Sequence, residues 1–515
     1  MFLPNIKTSK FMLSLTALLV FGCGDNNSKV PNPEPVVPPS EENSPASQFP
    51  EGVWVQLGFG RAIKVTGDII DIYDYTRETC LLERNTTQRE LASLLTVDSV
   101  DVDGFIATED AGILAFSKRD SMPPACLDNR LITEYEPVST LNHIIHNFND
   151  YYPFFELRGI LDWEERVSTA RAQVHSLTTD EELLTILITL LSGLNDGHVT
   201  ITAGDDFEYT PASTDGTFID IFELGFINQS EIIDFNDYLS SQFKIMGDIR
   251  DSYFDPDSLK MAGGESQDVF QWATIGNGVV GYLEVNGMAG ISPGMTENDV
   301  TATEELMDSI LTDLAHTEAL IINVMFNGGG DLAVADAIAS RFSTEKVIVS
   351  AYEAITYDDS LTPQRTPRIH RELAPTERVS YSRPIATISG PNTYSAAEHF
   401  LLSMRALKHP VCFIGEPSDG ILSAILDKQL PTEDVSLGLS NMIIYDHTGQ
   451  SFEAVGVPVD IESTTFEVVD SNSERSGAID AAMTALGFGY LVNQSAPAAD
   501  CAFVDARTRL ESSAP

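Results

Sequence analysis

Apolar and polar positions change their rhythm several times along the chain, and each change marks a different kind of element. From 51 to about 135 short β-branched or aromatic runs recur: Val53-Trp54-Val55-Gln56-Leu57, Ala62-Ile63-Lys64-Val65 and Ile69-Ile70-Asp71-Ile72-Tyr73. Gly58, Gly60 and Gly67-Asp68 break them, so a small β-rich module is expected. From 138 to 195 the period becomes helical. Leu141, Ile144, Ile145 and Phe148 share one face, and Thr179 with Glu182 forms a capping box ahead of Leu183, Leu184, Ile186, Leu187, Leu190 and Leu191. The turn Asn195-Asp196-Gly197-His198 then leads into the strand-like Val199-Thr200-Ile201-Thr202. Residues 203–276 mix acidic, aromatic and glycine-rich segments with no clean period, and read as an insertion or cap without an assigned role.

Beyond 278 strands and helices alternate. A strand at 279–285, a helix near 300–315, a strand at 319–326, the loop Asn327-Gly328-Gly329-Gly330, a helix at 331–342 and a strand at 347–349 follow in order. A buried strand at 384–389, a turn, and a helix from 395 to about 407 come later. This alternation predicts a mostly parallel, layered α/β sheet, followed by hairpin-like segments at 421–445 and a helix near 476–486. The organisation is therefore 1–22 signal, 23–50 tether, 51–135 β-rich module, 136–202 helical subdomain carrying His198, 203–276 insertion, 277–487 α/β core and 488–515 tail.

The N-terminus changes the picture of where the protein lives. Lys7 and Lys10 precede an apolar stretch at 11–21 that is too short to span a bilayer and ends at Cys23. It resembles a bacterial lipoprotein signal, which implies lipid attachment at Cys23 and anchoring to a membrane of the cell envelope. Gly24 after the cysteine favours the outer membrane of a Gram-negative cell. Phe21, bulky for that pattern, leaves plain secretion as the alternative. Residues 24–50, rich in Pro, Ser, Asn and Glu, cannot bury a core and form an extended tether. Four further cysteines, Cys80, Cys126, Cys412 and Cys501, suggest disulfides in an exported chain. In one pairing, Cys80 with Cys126 closes the N-terminal module and Cys412 with Cys501 pins the tail. With 43% hydrophobic residues the 515-residue chain can hold two or three cored domains. Its formal charge of −47 leaves no basic face for nucleic acid.

Candidate chemistry begins at Ser395, which heads a helix whose free amides favour developing negative charge. A serine placed there can attack a carbonyl while neighbouring amides hold the oxyanion. The glycine loop 327–330 follows a buried strand and offers bare backbone, although its spacing is that of no nucleotide-binding fingerprint. His198, on a turn, is suited to general base work, and Glu453 could orient its ring. Glu398 complements the helix dipole, and His399 is read as packing. His143 and His146 lack the partners of a zinc site, and Asp251, Asp255 and Asp257 do not follow a calcium-loop pattern, so no metal and no cofactor is expected.

The order of these pieces resembles the carboxyl-terminal processing (tail-specific) serine peptidase family, and more closely its tricorn-core branch. Leu191-Ser192-Gly193-Leu194-Asn195-Asp196-Gly197-His198 is similar to the family's L-x-D-G-H segment. Residues 320–330 are similar to its D-x-R-x-N-x-G-G strand and loop, Ser395-Ala396-Ala397-Glu398 to S-A-x-E, and the run from Glu453 through Gly456-Val457-Pro458 to Asp460 to its E-x-x-G-V-x-P-D ending. The resemblance covers about 138–200 and 277–487. It implies a crotonase/ClpP-like spiral core, with Ser395 as nucleophile, His198 as base, Glu453 as its orienter and the amides of Gly328 or Gly329 and Ala396 as oxyanion hole. The implied substrate is a peptide or protein. Ile421 stands where the processing branch carries a catalytic lysine, so a Ser/Lys dyad is absent, and Lys428 lies outside that motif. Three departures stand out: Asn323 and Met325 replace the family's Asp and Arg, Gly197 replaces a second serine beside the histidine, and no well-formed PDZ module is evident. A non-catalytic ligand-binding protein on the same scaffold, or an esterase using the same triad, are the alternative readings.

Overall fold

The computed structural model describes residues 49–492 apart from 93–94, 102, 110–111, 128–130, 205–206, 212–221, 224, 228–233, 266, 293–298, 359, 432–434 and 466–474. The leader, Cys23 and Cys501 therefore lie outside the described residues.

The N-terminal module is one eight-stranded sheet built from β1 (Gly52–Gln56), β2 (Arg61–Thr66), β3 (Ile69–Tyr75), β4 (Cys80–Thr87), β5 (Thr96–Val100), β6 (Gly104–Glu109), β7 (Gly112–Arg119) and β8 (Leu131–Ile132), in the order β5-β6-β7-β1-β2-β3-β4-β8. Phe49, Trp54, Phe105 and Phe116 fill its core with edge-on and stacked ring contacts. Cys80 and Cys126 are disulfide-bonded. Three helices follow: α1 (Pro137–Tyr151), α2 (Trp163–Gln173) and α3 (Asp180–Leu191). Thr179 and Glu182 make the reciprocal cap at the start of α3.

His198 lies two residues before β9 (Thr200–Ala203), which pairs with β10 (Phe207–Tyr209) and, far along the chain, with β21 (Val435–Ser440); β21 in turn pairs with β20 (Ile425–Gln429). This small sheet thus joins the histidine turn to the C-terminal half. The segment without a readable period contains α4 (Phe235–Asp251), β11 (Lys260–Ala262) and β12 (Phe270–Ile275). Tyr238 and Leu239 of α4 cluster with Phe222, and Phe243 meets Phe326 beside the glycine loop at 5.6 Å between ring centroids.

The core sheet has seven strands in the order β11-β12-β13-β14-β18-β19-β23, with β13 (Val280–Val285), β14 (Ala319–Asn323), β18 (Ile385–Ser389), β19 (Val411–Gly415) and β23 (Ile461–Glu462). From β13 to β23 all neighbours are parallel, while β11, β12 and β13 pair antiparallel. Alternation within each strand divides the residues between two faces. Ala319, Ile321, Ala386, Ile388, Cys412 and Ile414 face α8 (Gly477–Ala485). Leu320, Ile322, Ile385 and Phe413 face the other layer. That layer holds α5 (Asp299–Asp313), α6 (Leu332–Ala339) and α7 (Ala396–Ala406). Sheets covered on both faces by helices are the expected setting for buried parallel strands. The expected strand at 347–349 runs on to Tyr357 as β15 (Val347–Tyr357), which pairs antiparallel with β16 (Pro363–Arg365), β17 (Ile369–Leu373) and β22 (Met442–Asp446). Among the described residues no helix is long and apolar enough to cross a membrane.

The Cys80–Cys126 bond closes a 46-residue loop in a module with little helical support. Replacing both cysteines by alanine should cost about 2–5 kcal/mol of stability. Urea unfolding of the paired variant checks this, and an unchanged midpoint would contradict it.

Candidate active site

Two loops meet at the carboxyl ends of adjacent parallel strands, the place where open α/β sheets expose backbone to a ligand. The glycine loop follows β14, and the Ser395 turn follows β18. Asn327, fully buried, shapes the first. Its side-chain amide donates to the Val285 carbonyl at 3.0 Å, and its Oδ1 accepts from the Gly329 amide at 2.9 Å. Upstream, Asn323 donates to Tyr282 Oη and Glu284 Oε2, and Arg250 of α4 donates to Glu284 Oε1 at 2.7 Å. The strand feeding the loop is therefore anchored despite lacking the family's Asp and Arg.

Ser395 sits at φ 58° and ψ −127°, a left-handed backbone that a serine adopts only when its surroundings impose it. The strand reverses there into α7, as at a nucleophile elbow. Gly329, at φ 91°, lies so close that a Cβ on it would stand 2.7 Å from the Ser395 Cβ and 2.9 Å from the Ala396 nitrogen. Only glycine fits. Of the three amides expected to bind an oxyanion, that of Gly329 is already given to Asn327. Those of Gly328 and Ala396 donate to no other group among the described residues.

The backbone of residues 418–423 passes beside Ser395 and gathers the remaining groups. Ser395 N donates to the Ile421 carbonyl at 3.2 Å. Glu398, fully buried on α7, accepts from Ser418 Oγ (2.6 Å), Gly420 N (2.8 Å), Ile421 N (2.9 Å) and Ser395 N (3.2 Å). Burial pushes its carboxyl up to about 8, against the pull of the Ser418 and Gly420 donors. His198 Nδ1 hydrogen-bonds the Ser423 carbonyl. A carbonyl only accepts, so Nδ1 carries the proton and Nε2 keeps its lone pair. Nε2 has no partner among the described residues. Burial holds the His198 ring below its ordinary range.

Glu453 does not touch the ring as the triad reading expects. Its Oε2 accepts from the amides of Leu422 (3.1 Å) and Ser423 (3.0 Å), and its Oε1 accepts from Arg158 at 2.6 Å. It supports the carbonyl that orients His198 rather than His198 itself. Burial pushes Glu453 up to about 7, with Arg158 opposing. Arg158 and Asp196 were not given roles from sequence. Arg158 pairs with both Glu453 and Asp196, and Asp196 accepts from His198 N (3.0 Å), Ser440 Oγ (3.0 Å) and Tyr152 Oη (2.9 Å). The one sequence signal for Arg158 is a guanidinium inside the largely apolar run 151–160.

Other candidates are accounted for elsewhere. His399 donates through Nε2 to the Leu422 carbonyl and is pushed down to about 3 by burial. Lys428 lies in the interface with the N-terminal module. His143 hydrogen-bonds Thr79. Among the described residues no group of three or more His, Cys, Asp or Glu could hold a metal ion.

Residues 279–463 match the model of peptidase family S41. Over this stretch the chain is similar to the core of a serine-peptidase family. A peptidase-like protein of Parabacteroides merdae ATCC 43184 shares the fold at 21% identity and a TM-score of 0.50, covering 68% of this chain and 97% of its own. Mature CPAF aligns at 14% identity and a TM-score of 0.44, covering 64% and 93%. The tricorn protease aligns at 15% identity and a TM-score of 0.38, covering 87% and 46%. No curated protein matches the chain. The matched stretch begins one residue before β13 and ends just after β23, so His198 and Arg158 lie outside it.

Glu398→Gln replaces one accepting oxygen by a donor facing other donors, and should cost about 2–4 kcal/mol. The pH sign follows from the raised carboxyls. Their contribution is complete below pH 4.5 and is lost as pH rises through about 7 for Glu453 and about 8 for Glu398. The urea midpoint of the native protein should therefore fall from pH 6 to pH 9, and fall less in Glu398→Gln. Equal slopes would contradict the assignment.

Proposed function

We propose that the chain is an exported serine endopeptidase that cleaves peptide bonds through Ser395, His198 and Glu453. His198 Nε2 takes the Ser395 Oγ proton as Oγ attacks the substrate carbonyl. The resulting oxyanion lies between the amides of Gly328 and Ala396. His198 then gives the proton to the leaving amine and the C–N bond breaks, leaving an ester on Ser395. Water, deprotonated by the same Nε2, hydrolyses that ester. Glu453 keeps the 422–423 backbone in place so that the Ser423 carbonyl holds Nδ1–H throughout. No cofactor enters any step.

The observation that carries this reading is the convergence of all three residues on one backbone segment. Ile421 O takes the Ser395 amide, Ser423 O takes His198 Nδ1, and the Leu422 and Ser423 amides go to Glu453. Fluorophosphonate labelling of the tether-trimmed protein, read by intact mass and peptide mapping, should place one adduct on Ser395. Ser395→Ala and His198→Ala should lose the adduct and lower kcat by at least about 10⁴-fold. No adduct on folded protein would favour a binding protein on this scaffold, and hydrolysis of esters with none of peptides would favour an esterase. Because burial depresses His198, the acid limb of kcat/KM should lie below pH 6.5. A limb above that value would assign the base elsewhere.

The same proposal places the enzyme in the bacterial cell envelope, held by lipid on Cys23 and most simply at the outer membrane. Its support is the basic, apolar and Cys23 order of the leader and the polar tether behind it. Cys23→Ser should move the protein from the membrane fraction to the soluble fraction. Retention of that variant in the membrane fraction would rule out the lipid anchor.

A further inference from the structure

The N-terminal module meets the small sheet β10-β9-β21-β20 at a tight turn. Residues 58–60, between β1 and β2, present three successive carbonyls to that sheet. Asn441 Nδ2 donates to Gly58 O at 2.8 Å, and Lys428 Nζ donates to Phe59 O at 2.7 Å and Gly60 O at 3.3 Å. Lys428 also meets Asp74 Oδ1 of β3 at 3.0 Å, and its ammonium stands 4.9 Å from the Tyr151 ring centroid. Three acceptors satisfy all three ammonium protons, although Lys428 and Asp74 are each only 1% exposed. The turn is wedged tightly. A Cβ on Gly58 would lie 2.4 Å from Ala354 Cβ, and one on Gly60 would lie 2.4 Å from the Tyr151 ring.

Both tethers end close to the atoms that hold His198. Lys428 is on β20, the edge strand that begins two residues after Ser423. Asn441 is flanked by Ser440, whose Oγ donates to Asp196, and by Met442, whose amide donates to Ser423 Oγ at 3.0 Å. Asp196 accepts the His198 amide, and Ser423 O holds its ring. Between the two tethers, β21 pairs with β20 on one side and with β9, the strand following His198, on the other.

We propose that the β1–β2 turn is part of the catalytic apparatus, with Lys428, Asp74 and Asn441 as positioning residues that fix the Ser423 carbonyl and thereby the working tautomer of His198. The inference rests on His198 acting as the base. It assigns the N-terminal module a task beyond stability. If that module were only a stabilising appendage, loosening its contacts would lower the melting point and leave the histidine unchanged.

The test pairs a ring-level readout with kinetics in the full chain. Asp74→Asn/Lys428→Met removes both buried charges together, which avoids stranding one of them. Asn441→Ala removes only the Gly58 tether and decides the matter if the paired variant does not fold. In ¹⁵N-histidine NMR of each variant on the inert Ser395→Ala chain, His198 should pass from a single Nδ1–H tautomer to a mixture. In the active chain kcat should fall at least about tenfold, equivalent to about 1.4 kcal/mol, with KM little changed. The acid limb of kcat/KM should move to lower pH, because the Ser423 hydrogen bond raises His198 basicity. A folded variant that keeps the single tautomer and the native pH profile overturns the proposal. Tautomer loss in a chain whose native form hydrolyses no peptide would uphold the positioning role and remove the peptidase reading.

Discussion

Two buried carboxyls, those of Glu398 and Glu453, determine the course of residues 418–423, and the site follows from that course. Each grips two consecutive amides of this segment: Glu398 takes Gly420 and Ile421, and Glu453 takes Leu422 and Ser423. A backbone whose amides are all directed to fixed acceptors has little freedom left for its carbonyls. Those of Ile421, Leu422 and Ser423 consequently point at Ser395, His399 and His198. Close packing adds to the constraint: a Cβ on Gly456 would lie 1.9 Å from Ser418 O, and one on Gly420 would lie 2.7 Å from the Gly456 amide. The arrangement positions Ser395 and His198 through peptide geometry, which is stiffer than a chain of side chains.

Two positions noted as departures from the family pattern are neighbours in space. Gly197 stands where the tricorn core carries serine, and Ile421 where the processing branch carries lysine. A Cβ on Gly197 would lie 2.5 Å from Ile421 Cδ1, so the isoleucine occupies the space that a larger residue at 197 would need. A larger residue at 197 would have to displace that terminal methyl. The His198 ring is held by a backbone carbonyl, and Glu453 binds the amides of the same segment.

Legibility from sequence followed locality. The Ser395 turn was readable because a buried strand, Gly390, Asn392 and a helix start lie within a dozen positions. The capping box of α3 was readable for the same reason. Glu398 was seen as a local helix-start residue, but its grip on Gly420 and Ile421, 22 and 23 positions away, has no periodic signature. Arg158 meets Glu453 across 295 positions and could not have been paired from spacing. The helix α4 was missed although Asp234 caps it, because its buried face is marked by Tyr238, Leu239, Gln242 and Ile249, a mixed set with a weak stripe. Strand β12 was missed because its antiparallel place beside β13 buries both faces and removes the alternation that identifies a strand.

The contact between Phe59 and Lys428 spans 369 positions. A ribosome makes the turn early and its lysine hundreds of residues later, and contacts of such sequence separation are the last and slowest to form. Ser395, His198 and the glycine loop are all synthesised before β20, the strand that carries Lys428. A nascent chain therefore holds these residues before the contact that joins the N-terminal module to their surroundings can form.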